Sequence, residues 1–518
     1  VRGRYDKLYK IMMTTLSNNK QIAKNTLFLY LRMFLTMIVS LYTVRIVIQT
    51  LSVQDYGLYG AVGGVVLSFG FISGVLTNAS QRFFSFELGK GIAGRVKETF
   101  STIFFIYLGI SFVIVFFAET IGLWFLTNRM TIPEGREIAV KWVFQFALLS
   151  FIVTIMANPY QAMIIAHEKM NLYAYLSILD VVLKLVIVYA LLLFDIDKLK
   201  LYAFLMFISS LITNSVYICY CKLKLPDTHL ILHIDKGMFK SIFSYSSWTL
   251  LGTLAGICNT QGMNLVLNVF FGPIANAAYS VSSQVYSTVG MFANNFYVAV
   301  KPALIKNYSA GNNEYVQKLF SFSSKTIFVL LFVVILPFLV CTEDILSLWL
   351  GQVGDYMVAF VRLSLIYSII LTISYPITAV VQAGGNVKMY HGLVDTFSLL
   401  ALPIMYVLFK VGFTASYAYV VSIVIFGVAH FIRLYILKRV FALFSIGLYI
   451  MRFIIPAVIT TVCCYITMMY VKQYISEGVV CTIATCAMSC VFALMVSVIF
   501  LFTSSERSMV LNLIRKKK

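Results

Sequence analysis

Long hydrophobic blocks, each separated from the next by a short polar turn, run from Asn25 to Phe502. Blocks of about twenty apolar residues predict helices that cross a bilayer; the period-two alternation of an outer-membrane barrel is missing. Spans are predicted near 25–49, 58–81, 99–124, 139–166, 171–194 and 200–221, then near 240–270, 275–300, 319–341, 357–382, 389–410 and 414–437, with a final pair near 452–471 and 478–502. The first block is too long for the apolar core of a signal peptide and is expected to stay as a span. Residues 1–13 are basic and unpatterned, and Met12 or Met13 is the expected natural start.

The stretch from Asn25 to about Lys97 returns in altered form 220 residues later. That shift sets Tyr59 on Tyr279, Gly70 on Gly290, Gly91 on Gly311, Val96 on Val316 and Phe100–Ser101 on Phe320–Ser321 without a gap. Asn158-Pro159 in span four answers Tyr375-Pro376 in span ten, each followed by a short basic turn (Lys169, Lys388). The predicted fold is an all-α polytopic membrane protein of about 14 transmembrane helices. Two six-helix lobes repeat in parallel, because an even number of spans returns the chain to the same side. The expected divisions are a segment 1–24, an N-lobe 25–221, a linker 222–239, a C-lobe 240–437, an appended helix pair within 438–502 and a basic tail 503–518.

Composition then narrows the class. Hydrophobic residues make up 60% and charged residues 12%, against about 25% charged in a soluble domain. The nine cysteines lie mostly within apolar runs and lack metal-ligand spacing, so no metal or other cofactor is expected. A formal charge of +20 raises nucleic acid as a partner, but its distribution points to membrane topology. Of the 40 Lys and Arg, 27 fall in 1–24, 82–98, 167–170, 222–240, 301–318, 384–388, 438–452 and 503–518; the alternate loops hold only Arg129, Arg136, Lys198, Lys200, Lys410 and Lys472. That bias places both termini in the cytoplasm of a multi-pass protein, and nucleic acid is not expected as a partner.

At LSVQDYGLY (51–59), after an Arg-bearing first span, followed by NASQRFFSFELGKG (78–91), the sequence resembles the polysaccharide flippases. These are the O-antigen and capsular-repeat exporters of the multidrug/oligosaccharidyl-lipid/polysaccharide (MOP) superfamily. The resemblance implies a MATE-like two-lobe fold in a bacterial plasma (inner) membrane and no enzymatic step. It further implies passage of an undecaprenyl-diphosphate-linked oligosaccharide from the cytoplasmic to the outer leaflet by alternating access. The expected partners are that lipid-linked oligosaccharide, membrane lipids, and polysaccharide polymerase or assembly proteins; the expected state is a monomer.

Such a passenger needs cations for its phosphates and amides or hydroxyls for its sugars. Intramembrane charge is expected at Arg32, Arg45, Lys141, Lys184, Lys325, Arg362 and Arg433, set against Asp180 and Asp395; such residues usually face a bundle interior or a cavity. Arg45 is the favoured diphosphate ligand, with Arg32 and Arg362 next. Arg32 and Arg45 are thirteen residues apart, a rotation of about 220° on a straight helix, so they do not aim at one point. Asp180 and Lys184 are spaced i,i+4 and read either as a neutralising pair or, with Asp395, as an ion-coupling site. Lys325 and Asp395 lie at similar depth and are candidates to pair, whereas Lys141 and Arg433 lie near span ends, where snorkelling suffices.

Span seven carries Asn259, Gln261, Asn264 and Asn268 among Gly252, Gly256 and Gly262. Asn264, Asn268 and Asn295 are the expected sugar contacts, with interhelical hydrogen bonding as the alternative. Arg82 and Lys301 are expected at the cytoplasmic entry, where ordinary topology explains them as well. His229 and His233 have helical metal spacing without further ligands, and the tail SERSMVLNLIRKKK is expected to lie on anionic lipid. The rival function is a cation-coupled multidrug antiporter, which needs acidic cavity residues. A membrane glycosyltransferase or polymerase would need an acid/base constellation on a long outer loop, and none is present.

Overall fold

In the computed structural model the described residues are 24–507, with gaps. Between 40 and 69 only scattered positions are described; 92–93, 129–131, 133, 195, 233–234, 351–352, 476–477 and 505 are not, nor are the side chains of 268, 273, 276 and 277. Arg45, His233, the Asn268 side chain and the basic end of the tail therefore lie outside the description.

The described residues are almost wholly helical, with no strand among them. The helices are α1 (24–39), α2 (Gly70–Gly89), α3 (Val96–Asn128), α4 (Glu137–Ala166), α5 (Met170–Leu193) and α6 (Lys198–Lys224). After them come α7 (Lys236–Ser309), α8 (Asn313–Val340) and the short α9 (Thr342–Leu350). The last five are α10 (Met357–Ala383), α11 (Val387–Val411), α12 (Tyr417–Val440), α13 (Ile446–Lys472) and α14 (Val479–Leu501). Among the described residues ten helices are long and apolar enough to cross a membrane. Predicted spans seven and eight are two helices that follow one another within α7, separated by a non-helical kink at Gly272 (φ 71°, ψ −164°). That φ suits glycine and strains any other residue. The chain is a multi-pass membrane protein.

The chain divides into two compact units, one of Gln21–Leu250 and the other from Leu251 onward. In the first, α4 packs along α6 and against α2 and α3, around the fully buried Val143, Phe144, Val188 and Leu199. Alternate connections gather at one end of this unit. Arg136, before α4, bonds Asp55, between α1 and α2, at 2.7 Å and Asp197, before α6, at 3.3 Å. At the other end Arg95, between α2 and α3, pairs with Glu98 and, at 2.9 Å, with Asp235 at the start of α7. Glu87 holds the same loop, accepting from the Arg95 backbone N–H at 2.9 Å and from Lys90 at 2.7 Å.

In the second unit α8 packs against α14, α10 and α13, and α10 against α12. The two proline signals have different outcomes. Pro159 sits inside the continuous α4, where Asn158 donates to Ser73 Oγ at 2.6 Å. Tyr375-Pro376 opens a fresh helical segment in α10, after a break at Ile373–Ser374. Proline is tolerated in the first turn of a helix and lacks a backbone donor anywhere else in it.

Candidate functional site

The expected charges separate into paired and unpaired groups. Asp180 and Lys184 pair at 2.7 Å along α5, as their spacing predicts. The expected Lys325–Asp395 pair does not form. Lys325, on α8, bonds Glu506 at 2.8 Å, and Asp395 accepts from His391 Nδ1 at 2.6 Å within a π-helical turn of α11. The reason is distance along the fold: Glu506 follows α14, which lies against α8, and His391 is one turn from Asp395. Glu119 is a third intramembrane acid that the sequence reading passed over. It lies in a π-helical turn of α3 and accepts from Gln145 at 3.0 Å.

Arg32, Arg362 and Arg433 have no acidic partner among the described residues. Arg32 lies over the Tyr173 ring at 4.9 Å, with Nε buried and unbonded. Arg362 donates from Nε to Thr342 Oγ1 at 2.9 Å. Arg433 is buried at 6% exposure rather than snorkelling. Its guanidinium is held by neutral hydroxyls, Tyr390 at 3.1 Å and Ser374 at 3.4 Å, and Ser374 also contacts His430 Nδ1 at 3.0 Å. A buried guanidinium bonded only to neutral oxygens has no carboxylate beside it to offset its desolvation.

The first unit carries a chamber of about 700 Å³ with both polar and apolar lining. One face of α5 supplies Tyr173, Ser177, Asp180 and Lys184, the repeat expected of a helix stripe. Across from it, Asn214 of α6 donates to Thr154 of α4 at 3.2 Å, and Thr154 contacts Ser210 Oγ at 3.2 Å. Thr36, one turn beyond Arg32, also lines it. Asp180 and Lys184 thus share one chamber with Tyr173, the ring that Arg32 covers, while Arg362 and Asp395 belong to the second unit.

A second chamber of about 780 Å³ lies within the second unit, among α7, α10, α11 and α12. Asn259 and Gln261 line it; Asn264 does not, and its Oδ1 is buried without a hydrogen-bond partner. Asn295 is buried at 6% exposure. Gly262 serves close packing, since a Cβ there would sit 2.7 Å from Leu402 Cδ1; one at Gly252 would sit 2.3 Å from His391 and Asp395. A third, almost wholly apolar pocket of about 300 Å³ lies between α10, α12 and α13.

The expected entry residues are both buried. Arg82 stacks on Phe83, Phe86 and Tyr245 at 4.5, 4.8 and 5.4 Å, and Lys301 lies over Tyr297 at 5.8 Å. No cluster of three His, Cys, Asp or Glu suited to a metal occurs among the described residues.

No family model matches this chain, and no curated protein matches it by sequence. Solved structures do match. A point mutant of a MATE shares 14% identity at a TM-score of 0.69, over 82% of this chain and 96% of the other. An outward-facing multidrug resistance MATE family transporter of the MOP superfamily shares 14% identity at 0.68, over 83% and 97%. A MOP superfamily transporter from Pyrococcus furiosus, in which reversed polarity of the binding pocket suggests a different function, shares 14% identity at 0.65, over 82% and 96%. The chain has the helical fold of the MATE transporters of the MOP superfamily.

Proposed function

We propose that this protein is a flippase for undecaprenyl-diphosphate-linked oligosaccharide, an O-antigen or capsular repeat unit, carried from the cytoplasmic to the outer leaflet by alternating access. The observation that carries the reading is the charge balance within the membrane. Asp180 and Asp395 are engaged by Lys184 and His391 and Glu119 by the neutral Gln145, whereas three cations, Arg32, Arg362 and Arg433, meet no carboxylate among the described residues. Fixed cations without counter-ions in low dielectric stabilise an anionic passenger and exclude a cationic one. A cation-coupled multidrug antiporter needs the reverse. Arg45 and Arg32, with Arg362, hold the diphosphate in this reading, and amides of α7 and Asn295 meet the sugars. Arg82 and Lys301 gather anionic headgroups at a cytoplasmic mouth, and both termini lie on that side of a bacterial inner membrane. Asp180, Lys184 and Asp395 are the groups through which an ion would couple.

The test is transport of a fluorescent lipid-diphosphate-oligosaccharide in proteoliposomes. Wild type is expected to move it, and Arg32→Ala, Arg45→Ala and Arg362→Ala to slow it by about tenfold or more, the worth of a hydrogen bond to a charged group. The Lys variants are expected to retain part of the rate. Efflux of organic cations by a wild type that leaves a panel of lipid-linked glycans in place would replace this reading with the antiporter.

A further inference from the structure

We propose that the chamber of the second unit is a binding site for a neutral pyranose ring, an inference that rests on the glycan-flippase reading for its biological context but not for its geometry. Five tyrosines line it: Tyr279, Tyr286, Tyr367, Tyr375 and Tyr419. Four form a continuous aromatic wall, with Tyr286 and Tyr367 at 6.0 Å, Tyr367 and Tyr419 at 6.3 Å, and Tyr419 and Tyr279 at 6.0 Å between ring centroids. Two of these rings are fixed by the protein. Tyr279 donates to the Thr260 carbonyl at 3.1 Å, and Tyr419 shares a 2.8 Å hydrogen bond with Ser282.

The other three hydroxyls are not used. Those of Tyr286, Tyr367 and Tyr375 make no hydrogen bond to the described residues, and neither do the amides of Asn259 and Gln261 on the same chamber. In the first chamber Asn214, Thr154 and Ser210 bond one another, whereas these five groups line the second chamber without bonding one another. Five accessible donors and acceptors on one chamber are free to hydrogen-bond a polar molecule that enters it. Among the described residues no Asp, Glu, Lys, Arg or His lines the chamber.

A pyranose meets each of these features. Its C–H face is apolar and packs on an aromatic ring, and its rim of hydroxyls both donates and accepts, as tyrosine hydroxyls and carboxamides do. The volume, about 780 Å³, lies within the range of about 300–1,000 Å³ usual for small-molecule sites. An organic cation would also find ring faces here, but no carboxylate lines the chamber to offset its desolvation. A uronic acid would bring an anion to a chamber with no cation among its described lining residues. The chamber therefore selects the uncharged rings of a glycan and leaves the diphosphate to arginines elsewhere.

The experiment is saturation-transfer NMR on the full chain in nanodiscs, with methyl glucoside and methyl N-acetylglucosaminide as neutral probes, glucuronate as the anionic probe and tetraphenylphosphonium as the cationic one. Saturation is expected at the ring C–H protons of the neutral glycosides. It is expected to weaken about fivefold in Gln261→Ala and in Tyr286→Phe, the loss of about one net hydrogen bond each, and to weaken about threefold or more in Tyr367→Leu through the lost ring face. Lys318→Gln, at an exposed position outside the chamber, is expected to leave it unchanged. Tyr286→Phe keeps the packed volume, so its effect reads the hydroxyl and not folding. Neutral glycosides without signal in wild type, a signal indifferent to these three variants, or tyrosine-dependent binding of tetraphenylphosphonium alone would each overturn the proposal. Because the readout is binding, a chain that failed to flip lipid-linked oligosaccharide yet held glycosides in this way would defeat the flippase reading and leave this site standing.

Discussion

Lys325 shows what a single buried charge demands. Its side chain is 4% exposed, and an ammonium that deep persists only beside an anion with good geometry. Glu506 supplies it from 181 residues away, while its own Oε2 also accepts from the Thr503 backbone N–H and hydroxyl. Glu506→Gln leaves the lysine charged and unpaired and is expected to cost about 3–5 kcal/mol, whereas Lys325→Met with Glu506→Gln is expected to recover most of that. Thermal unfolding of the four species in detergent measures the coupling; additive losses would mean that the pair contributes nothing. The i,i+4 pair Asp180–Lys184 was legible from spacing because one helix presents both groups. The partner of Lys325 was not, since only helix packing brings α14 to α8.

At the scale of elements, α7 begins on a built cap. Asp235 Oδ1 accepts from the backbone N–H groups of Gly237 at 2.7 Å and Met238 at 3.1 Å, and its other oxygen bonds Arg95. The Met238 N–H, then the Arg95 guanidinium and the Gly237 N–H, hold its pKa below the ordinary 3.8. A carboxylate depressed on folding adds stability above its unfolded value and loses it as pH falls below that value. Protection factors of the first turn of α7 in hydrogen exchange are therefore expected to be flat from pH 7 to about pH 5 and to drop below about pH 4. Asp235→Asn, which keeps a cap without a charge, is expected to remove that drop; an unchanged profile in the variant would exclude the carboxylate as its origin. Helix number and length followed from hydropathy, but the behaviour of the two prolines did not. Whether α4 runs through Pro159 or α10 restarts at Pro376 depends on what neighbouring helices offer the freed carbonyls.

For the whole molecule, alternation of the connections is the governing fact. In the first unit Arg136 draws together the connections that carry Asp55 and Asp197, and Arg95 draws Asp235 to the opposite end. The concentration of Lys and Arg in every second connection then predicts which end faces the cytoplasm. In a background with the nine native cysteines replaced, a cysteine at position 198 or 410 is expected to react with a membrane-impermeant maleimide in intact cells. One at position 97 or 318 is expected to react only after permeabilisation. The opposite pattern would invert the proposed orientation.

Hydropathy and charge distribution alone determined a helical multi-pass protein with alternating connections and a basic excess within the bilayer, because lipid leaves the backbone few solutions and each of them is periodic. Side-chain partnerships were decided by tertiary structure. Arg433 is enclosed by hydroxyls from two other helical segments, Lys325 is met by a residue from the end of the chain, and the tyrosine chamber gathers rings from α7, α10 and α12. Tyrosines scattered over some 140 positions, from Tyr279 to Tyr419, carry no local signal of a shared wall. A one-dimensional pattern records which side of a helix is apolar, and the fold alone records which helix stands opposite.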